Sequence, residues 1–501
     1  MAAVLLLGID VGSTNCKAIV FDQYGQPVSV ASLPTPTLHP CPGWAEYDPD
    51  ALWQTVVRVI RQACAAVDPR QIQGVAVASM GEAGAPLDAQ GRPTYQSIAW
   101  YDSRTTPQDR WWREQFVNDV IFSISGLSPL PIYGINKLMW LRDNQPEAYA
   151  KTATWLHIAD YIAFKLCGVP ATDYSLGSRT MVMDLVRRRW SLPLLERAGI
   201  RADLWPELMP SGVKLGEVSA AAATETGLAA GTCVGVGGHD HVCGAFAVGV
   251  SAGDVCLDSI GTAEAVFCTL EQLQLDERVR RTGCALGAHV ARDKYYILDG
   301  LWTAGASIEW AKNLFAWPGD QGDRYAAMEA AAANAATGSM GVFFLPRLAA
   351  GERGGFVGLI GDADAGVMAR AIYEGLAYEW RSCFESMVQP LALPIETIKV
   401  IGGGARCRLW LQIKANVLNR PLLVLDVAES VALGAALLAG IASGVYRDEA
   451  EAQQAVRHVE HLVTPDPARA AQYDRWYRNA YLHVAPALGA LSQRIEQAIE
   501  G

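Results

Sequence analysis

Two stretches far apart in the chain repeat one pattern: an apolar run, a tight turn of Gly with Ser or Thr, and a second apolar run. Val4 to Ile9 leads into Gly12-Ser13-Thr14-Asn15, and Lys17 to Phe21 follows. Asp254 to Ile260 leads into Gly261-Thr262-Ala263-Glu264, and Ala265 to Leu270 follows. Short apolar runs bounded by Gly and hydroxyl residues are the pattern of a β-hairpin. Finding it twice predicts two α/β halves on one βββαβα plan, with a cleft between them and a boundary near residue 249. The halves are then 1–248 and 249–501. Asp50 to Ala66 carries Leu52, Val56, Val59, Ile60 and Ala63 at helical spacing, behind Asp48-Pro49 as a helix entry. Ile72 to Ala78 is a buried strand by composition, and Leu433 to Val445 a buried helix. From Arg447 onward the chain looks helical and amphipathic.

A chain of 501 residues, 51% hydrophobic and 19% charged, can bury substantial cores. Its formal net charge of −11 argues against nucleic acid or an anionic membrane as partner. A phosphate ligand remains open, because backbone N–H groups and a cation can hold it locally. Met1 to Asp10 lacks a basic n-region and reads as a strand, and no run of about 18 apolar residues occurs. The eleven scattered cysteines form no CxxC pair and read as reduced thiols, so a cytoplasmic location is expected.

Phosphoryl transfer needs phosphates held by N–H groups and hydroxyls, a carboxylate on the Mg²⁺ side, and a base beside the acceptor hydroxyl. Gly8 to Lys17 offers the first two: Ser13, Thr14, Asn15 and Lys17 as donors, Asp10 for Mg²⁺. An ordinary hairpin in which Asp10 caps its own turn explains these residues equally well. No GxxxxGK[ST] occurs, which argues against a P-loop fold. Gly402-Gly403-Gly404-Ala405 lies between the apolar strand Thr397 to Ile401 and a helix-like run, Leu409 to Leu418. Such a turn lets a ring or phosphate approach the backbone, although a plain connection is the alternative. His239-Asp240-His241 follows a Gly-rich strand, and Asp240 is the best base. The two histidines flanking it point in different directions, which argues against a metal site. Glu82 and the cluster Trp100, Asp102 and Arg104 are candidates for binding hydroxyls, with a surface salt bridge as the alternative.

Taken together these motifs resemble the FGGY carbohydrate kinases of the actin-like ATPase superfamily, from about Leu5 to Val445. Gly43-Trp44-Ala45-Glu46-Tyr47-Asp48-Pro49, Trp100-x-Asp102-x-Arg104, Lys137 to Asn144, Gly238-His239-Asp240, Ser259 to Thr262, Ala304 to Trp310, Gly402 to Gln412 and Gly434-Ala435-Ala436 stand in the family's order. The resemblance implies two actin-like (ribonuclease H-like) ATPase domains around a closing cleft, with ATP and Mg²⁺ as cofactors. It implies Asp240 as base and Asp10 on the metal side. Ser13, Thr14, Asn15, Lys17, Gly261 and Thr262 would flank the phosphates. Gly305, Gly403, Gly404 and Ala405 would approach the nucleotide. Gly81, Glu82, Trp100, Asp102, Arg104 and Asp240 would meet the substrate. The partner is a small sugar or polyol, and a homodimer is compatible with the resemblance.

The chain departs from the family at several points. Xylulokinases usually show Met-His-Gly, and glycerol kinases Arg-Glu, where this chain has Gly81-Glu82-Ala83. His241 replaces a Gln or Asn, Gly134 a Pro, Ser or Thr, and Asn416 a frequent Asp. The expected acceptor is a ketose or polyol of roughly three to six carbons, with D-xylulose the nearest named candidate. Two other readings stand beside it: a non-catalytic actin-like nucleotide-binding regulator, and a kinase of a non-sugar acceptor. A degenerate regulator is expected to lose Asp240, and this chain keeps it.

Overall fold

Both predicted hairpins form. Leu5–Val11 pairs antiparallel with Asn15–Asp22, and Val255–Ile260 with Glu264–Leu270. The protein is seen here in a computed structural model, which describes residues 4–116, 120–317, 322–349, 352–427 and 429–500. Met1 to Ala3, read above as the start of a strand, lie outside the described residues. Two compact units divide the chain and interleave along it. The first comprises Met1–Ala252, Thr269–Ile297 and Glu429–Arg457; the second comprises Gly253–Cys268, Leu298–Ala428 and His458–Gly501.

The sheet of the first unit has the order Lys214–Glu217, Cys233–Gly235, Ile72–Ser79, Leu5–Val11, Asn15–Asp22 and Pro27–Pro34. Leu5–Val11 lies at its centre, parallel to Ile72–Ser79. Its near-continuous burial fits the unbroken apolar run in its sequence. Pro49–Cys64 is a helix capped by Asp48, whose side chain accepts from the Ala51 N–H at 3.0 Å. Ser430–Ala442 is apolar all round and buried from Ala432 to Gly440. It lies directly on the sheet because Gly8 has no side chain: a Cβ there would fall 1.8 Å from the Ala432 carbonyl oxygen.

Within the second unit the sheet runs Glu264–Leu270, Val255–Ile260, Thr397–Ile401, Leu422–Leu425 and Glu460–Val463. Val255–Ile260 pairs parallel with Thr397–Ile401. Glu460–Val463 corrects the helical reading of the chain beyond Arg447, since it is an antiparallel edge strand on Leu422–Leu425. Helices Glu449–Ala455, Pro467–Trp476 and Leu482–Glu500 make up most of the rest. No helix among the described residues is long and apolar enough to cross a membrane, and no disulfide joins the described cysteines.

Candidate active site

Four charged groups gather at the first hairpin turn. Asp10 and Lys17 face each other in the strand register, and the Lys17 ammonium donates to Glu429 Oε2 at 2.7 Å. Burial pushes the Asp10 carboxyl up to about 7; the charge of Asp240 adds to the shift, Lys17 opposes it, and Glu429 contributes last. Asp240 opens the helix Asp240–Ala247, directly after the two-residue strand Gly238–His239, which pairs with Ala78 and Ser79. The His239 N–H donates to Ser175 Oγ at 2.9 Å, which fixes the strand end. Asp240 Oδ1 accepts from the His241 N–H at 2.6 Å and stands 3.2 Å from His239 Nε2. The Asp240 side chain keeps 23% exposure, enough to meet a solute. Burial raises its proton affinity, and His241 opposes the shift.

Beside this carboxylate, Glu82 is buried in a left-handed conformation at φ 62°. A non-glycine residue held there costs on the order of 1–3 kcal/mol, so the surroundings must hold it. They do so through Arg179, whose Nε and Nη2 both reach Glu82 Oε1, at 2.6 and 2.5 Å. Lys137 lies beneath, donating to the Ile132 carbonyl at 2.5 Å. Burial lowers the Lys137 ammonium to about 8, against the opposing charges of Glu82 and Asp102. Trp100 Nε1 donates to Ser13 Oγ at 2.9 Å, joining the aromatic cluster to the first turn.

Asp102 and Arg104 are placed differently from the expectation that they meet the substrate. Asp102 caps its own turn and takes the Ala45 N–H at 2.6 Å. Arg104 pairs with Asp102 and Glu46 and lies 3.8 Å over Trp44. Both side chains have zero exposure and their polar groups are consumed inside the protein. They hold the loop that presents Trp100.

The second unit holds a cavity of about 1040 Å³. Gly261, Thr262, Gly305, Gly403 and Gly404 line one side, and Trp310, Tyr325, Tyr373 and Trp410 give it aromatic walls. Gly305 is glycine for closeness, since a Cβ would lie 2.3 Å from the Gly261 carbonyl oxygen. Gly402, at φ 98°, would clash with Ile260, whereas a Cβ on Gly403 would meet nothing within 4 Å. Gly403 therefore faces open space, where a ligand can approach its backbone. Ala405 closes the turn through its N–H to Gly402, at 3.2 Å, and does not line the cavity.

Residues 5–247 match the model of the N-terminal domain of the FGGY family of carbohydrate kinases, and residues 257–443 match its C-terminal domain. The chain belongs to the FGGY family of carbohydrate kinases. It is 28% identical over 489 residues to a xylulose kinase of Bacillus subtilis, covering 95% of this chain and 97% of that one. It is also 28% identical over 462 residues to an L-fuculokinase of Escherichia coli O157:H7, covering 91% and 96%. The crystal structure of a xylulose kinase from Rhodospirillum rubrum superposes with a TM-score of 0.90 at 28% identity, over 98% of this chain and 100% of that one. The family and this structural likeness make the chain a carbohydrate kinase with the expected two-domain actin-like α/β fold.

Two departures of this FGGY kinase have a packing reason. A Cβ on Gly134 would lie 2.8 Å from the Trp155 ring. Asn416 is buried and accepts from the Asp466 N–H at 2.7 Å and from Gln412 Nε2 at 3.2 Å. Sequence reasoning missed Arg179, Glu429 and the aromatic walls at Tyr325 and Tyr373, none of which sits in a glycine-rich turn.

Proposed function

We propose that this kinase transfers the γ-phosphoryl group of ATP to a hydroxyl of a neutral ketose or polyol, with Asp240 taking the hydroxyl proton. The names of its relatives, xylulose kinase, L-fuculokinase and glycerol kinase, favour that class of acceptor, and D-xylulose is the nearest named candidate. The observation that carries the reading is the state of Asp240: a partly exposed carboxylate, pinned at one oxygen, beside the fixed Glu82–Arg179 pair. As the hydroxyl oxygen bonds to phosphorus, the bond to the ADP oxygen breaks and Asp240 Oδ2 receives the proton. Glu82 and Arg179 orient the acceptor's hydroxyls, and Trp100 offers an apolar face. Ser13, Thr14, Asn15 and Lys17 serve the phosphates from the first unit; Gly261 and Thr262 do so from the second. Gly305, Gly403 and Gly404 border the nucleotide, with Ala405 holding their turn. In functional terms residues 1–248 form the acceptor and phosphate side, and 249–501 the nucleotide side.

The residues around Asp10 fit a Mg²⁺ ion. Burial first, and then the charges of Asp240 and Glu429 against that of Lys17, push Asp10 up, and a cation beside it would relieve that. No three ligating side chains among the described residues form a cage, which suits an ion that keeps its waters and binds phosphates. Asp10 would hold the ion, and the ion would offset phosphate charge during transfer.

An ADP-release screen over ketopentoses, ketohexoses, glycerol and other polyols tests the reading. Turnover is expected with at least one neutral ketose or polyol. A chain that binds ATP and turns over no acceptor is the nucleotide-binding regulator, and turnover confined to non-sugar acceptors removes the acceptor class.

A further inference from the structure

The ring of His239 packs against Gly81, and the fit is close. A Cβ on Gly81 would lie 3.0 Å from both Cδ2 and Nε2 of His239, and 3.3 Å from Cγ of Arg179. Contacts that short force a neighbour to shift. The imidazole is 4% exposed and its backbone N–H is tied to Ser175 Oγ at 2.9 Å, so the ring has little freedom to give. Its Nε2 stands 3.2 Å from Asp240 Oδ1, and its buried Nδ1 has no hydrogen-bond partner among the described residues.

We propose that His239 is a positioning residue for Asp240: its Nε2–H, together with the His241 N–H, holds Oδ1, so that Oδ2 alone faces the acceptor, and Gly81 leaves the space the ring needs. The inference rests on Asp240 being the base. Burial first, and then the charge of Arg179, keeps the imidazole neutral. A neutral ring carries one proton, and the adjacent carboxylate draws it to Nε2, leaving Nδ1 as a bare acceptor. Of the groups acting on Asp240, His241 and Arg179 stabilise the carboxylate and Glu82 opposes it. Each acts by charge or through the backbone. His239 brings a side-chain nitrogen to within 3.2 Å of Oδ1 from inside the protein, where an N–H turned toward that oxygen would fix direction as well as charge. The pairing of a glycine at 81 with a histidine at 239 also shapes the floor of the acceptor site, because no side chain at 81 can reach the acceptor.

Steady-state kinetics of four variants test this, each with its melting temperature, using whichever acceptor the ADP-release screen identifies. His239→Ala should lose about 10- to 100-fold in kcat, the scale of a misplaced catalytic group, with the KM for ATP within about 2-fold. His239→Gln, which keeps an N–H at a similar reach, should recover most of that loss. Gly81→Ala should slow kcat by pushing the ring. The double variant Gly81→Ala/His239→Ala should be no slower than His239→Ala, because the two act through one group. Wild-type kcat in His239→Ala overturns the proposal. So does a Gln variant as slow as Ala at an unchanged melting temperature, or a Gly81→Ala loss that adds in full to the His239→Ala loss. If His239→Ala does not fold, the Gln and Gly81→Ala variants decide alone. Asp240→Asn is the control: near-normal turnover there defeats the reading of Asp240 as base, whereas an inactive Asn variant beside a fully active His239→Ala defeats only the present one.

Discussion

Leu5–Val11 pairs antiparallel with Asn15–Asp22 and parallel with Ile72–Ser79; Val255–Ile260 pairs antiparallel with Glu264–Leu270 and parallel with Thr397–Ile401. The plan is the same and the charges are handled in opposite ways. In the first hairpin, Asp10 sits at the mouth of the turn, partly exposed, with Asp240 and Glu429 near it and Lys17 turned to Glu429. In the second, Asp258 and Glu264 are fully buried and both receive the ammonium of Lys414. Burial drives the Glu264 carboxyl well up, and Lys414 opposes it. Burial also disfavours the Lys414 ammonium, but Asp258 and Glu264 more than offset this and hold it charged. The first hairpin therefore keeps unneutralised negative charge accessible, as a cation and a proton transfer require. The second closes its charges into a knot behind the turn that borders the large cavity.

The largest expected effect breaks that knot. Lys414→Met strands two carboxylates in the interior and should cost about 3–5 kcal/mol, read as a fall in the denaturation midpoint at constant m-value. A loss below about 1 kcal/mol would mean that the second hairpin does not depend on its charges. Next comes the first hairpin's own chemistry. Asp240→Asn should lower kcat about 100-fold or more while ATP still binds, and near-normal turnover would remove Asp240 from the base role. The smallest effect is in pH dependence. The Asp10 carboxyl is raised to about 7 in the folded protein, against an ordinary 3.8. Between those values the folded chain holds a proton that the unfolded chain has released, so stability falls as pH rises through the window. Asp10→Asn removes the group. The stability difference between it and the wild type should shift in its favour by about 2–3 kcal/mol from pH 5 to pH 8. Melting curves whose separation does not change with pH would show that Asp10 is well solvated.

The hairpins were legible because short apolar runs bounded by Gly and hydroxyls leave few alternatives, and Thr397–Ile401 was read to the residue. Glu460–Val463 was not, because it is a short, largely exposed edge strand without alternation. In the site, Asp10 and Asp240 were marked by their places at strand ends. Arg179 and Glu429 carried no local mark. Their partners lie 97 and 412 positions away, a pairing that only the tertiary fold makes. Asp102 and Arg104 were read as substrate-binding groups for the same reason: the third member of their cage, Glu46, is 58 positions from Arg104.

The helix Ser430–Ala442 belongs to the unit that the first strand begins, and it covers the middle of that unit's sheet. On the ribosome, where domains form from the N-terminal end, the strands at Gly8 and Gly74 emerge early and stay bare on that face. Their cover arrives only after about three-quarters of the second unit's residues have been translated. The unit started first is completed only after most of the other has been made, so a message interrupted before Glu429 yields an open sheet and not a half-enzyme.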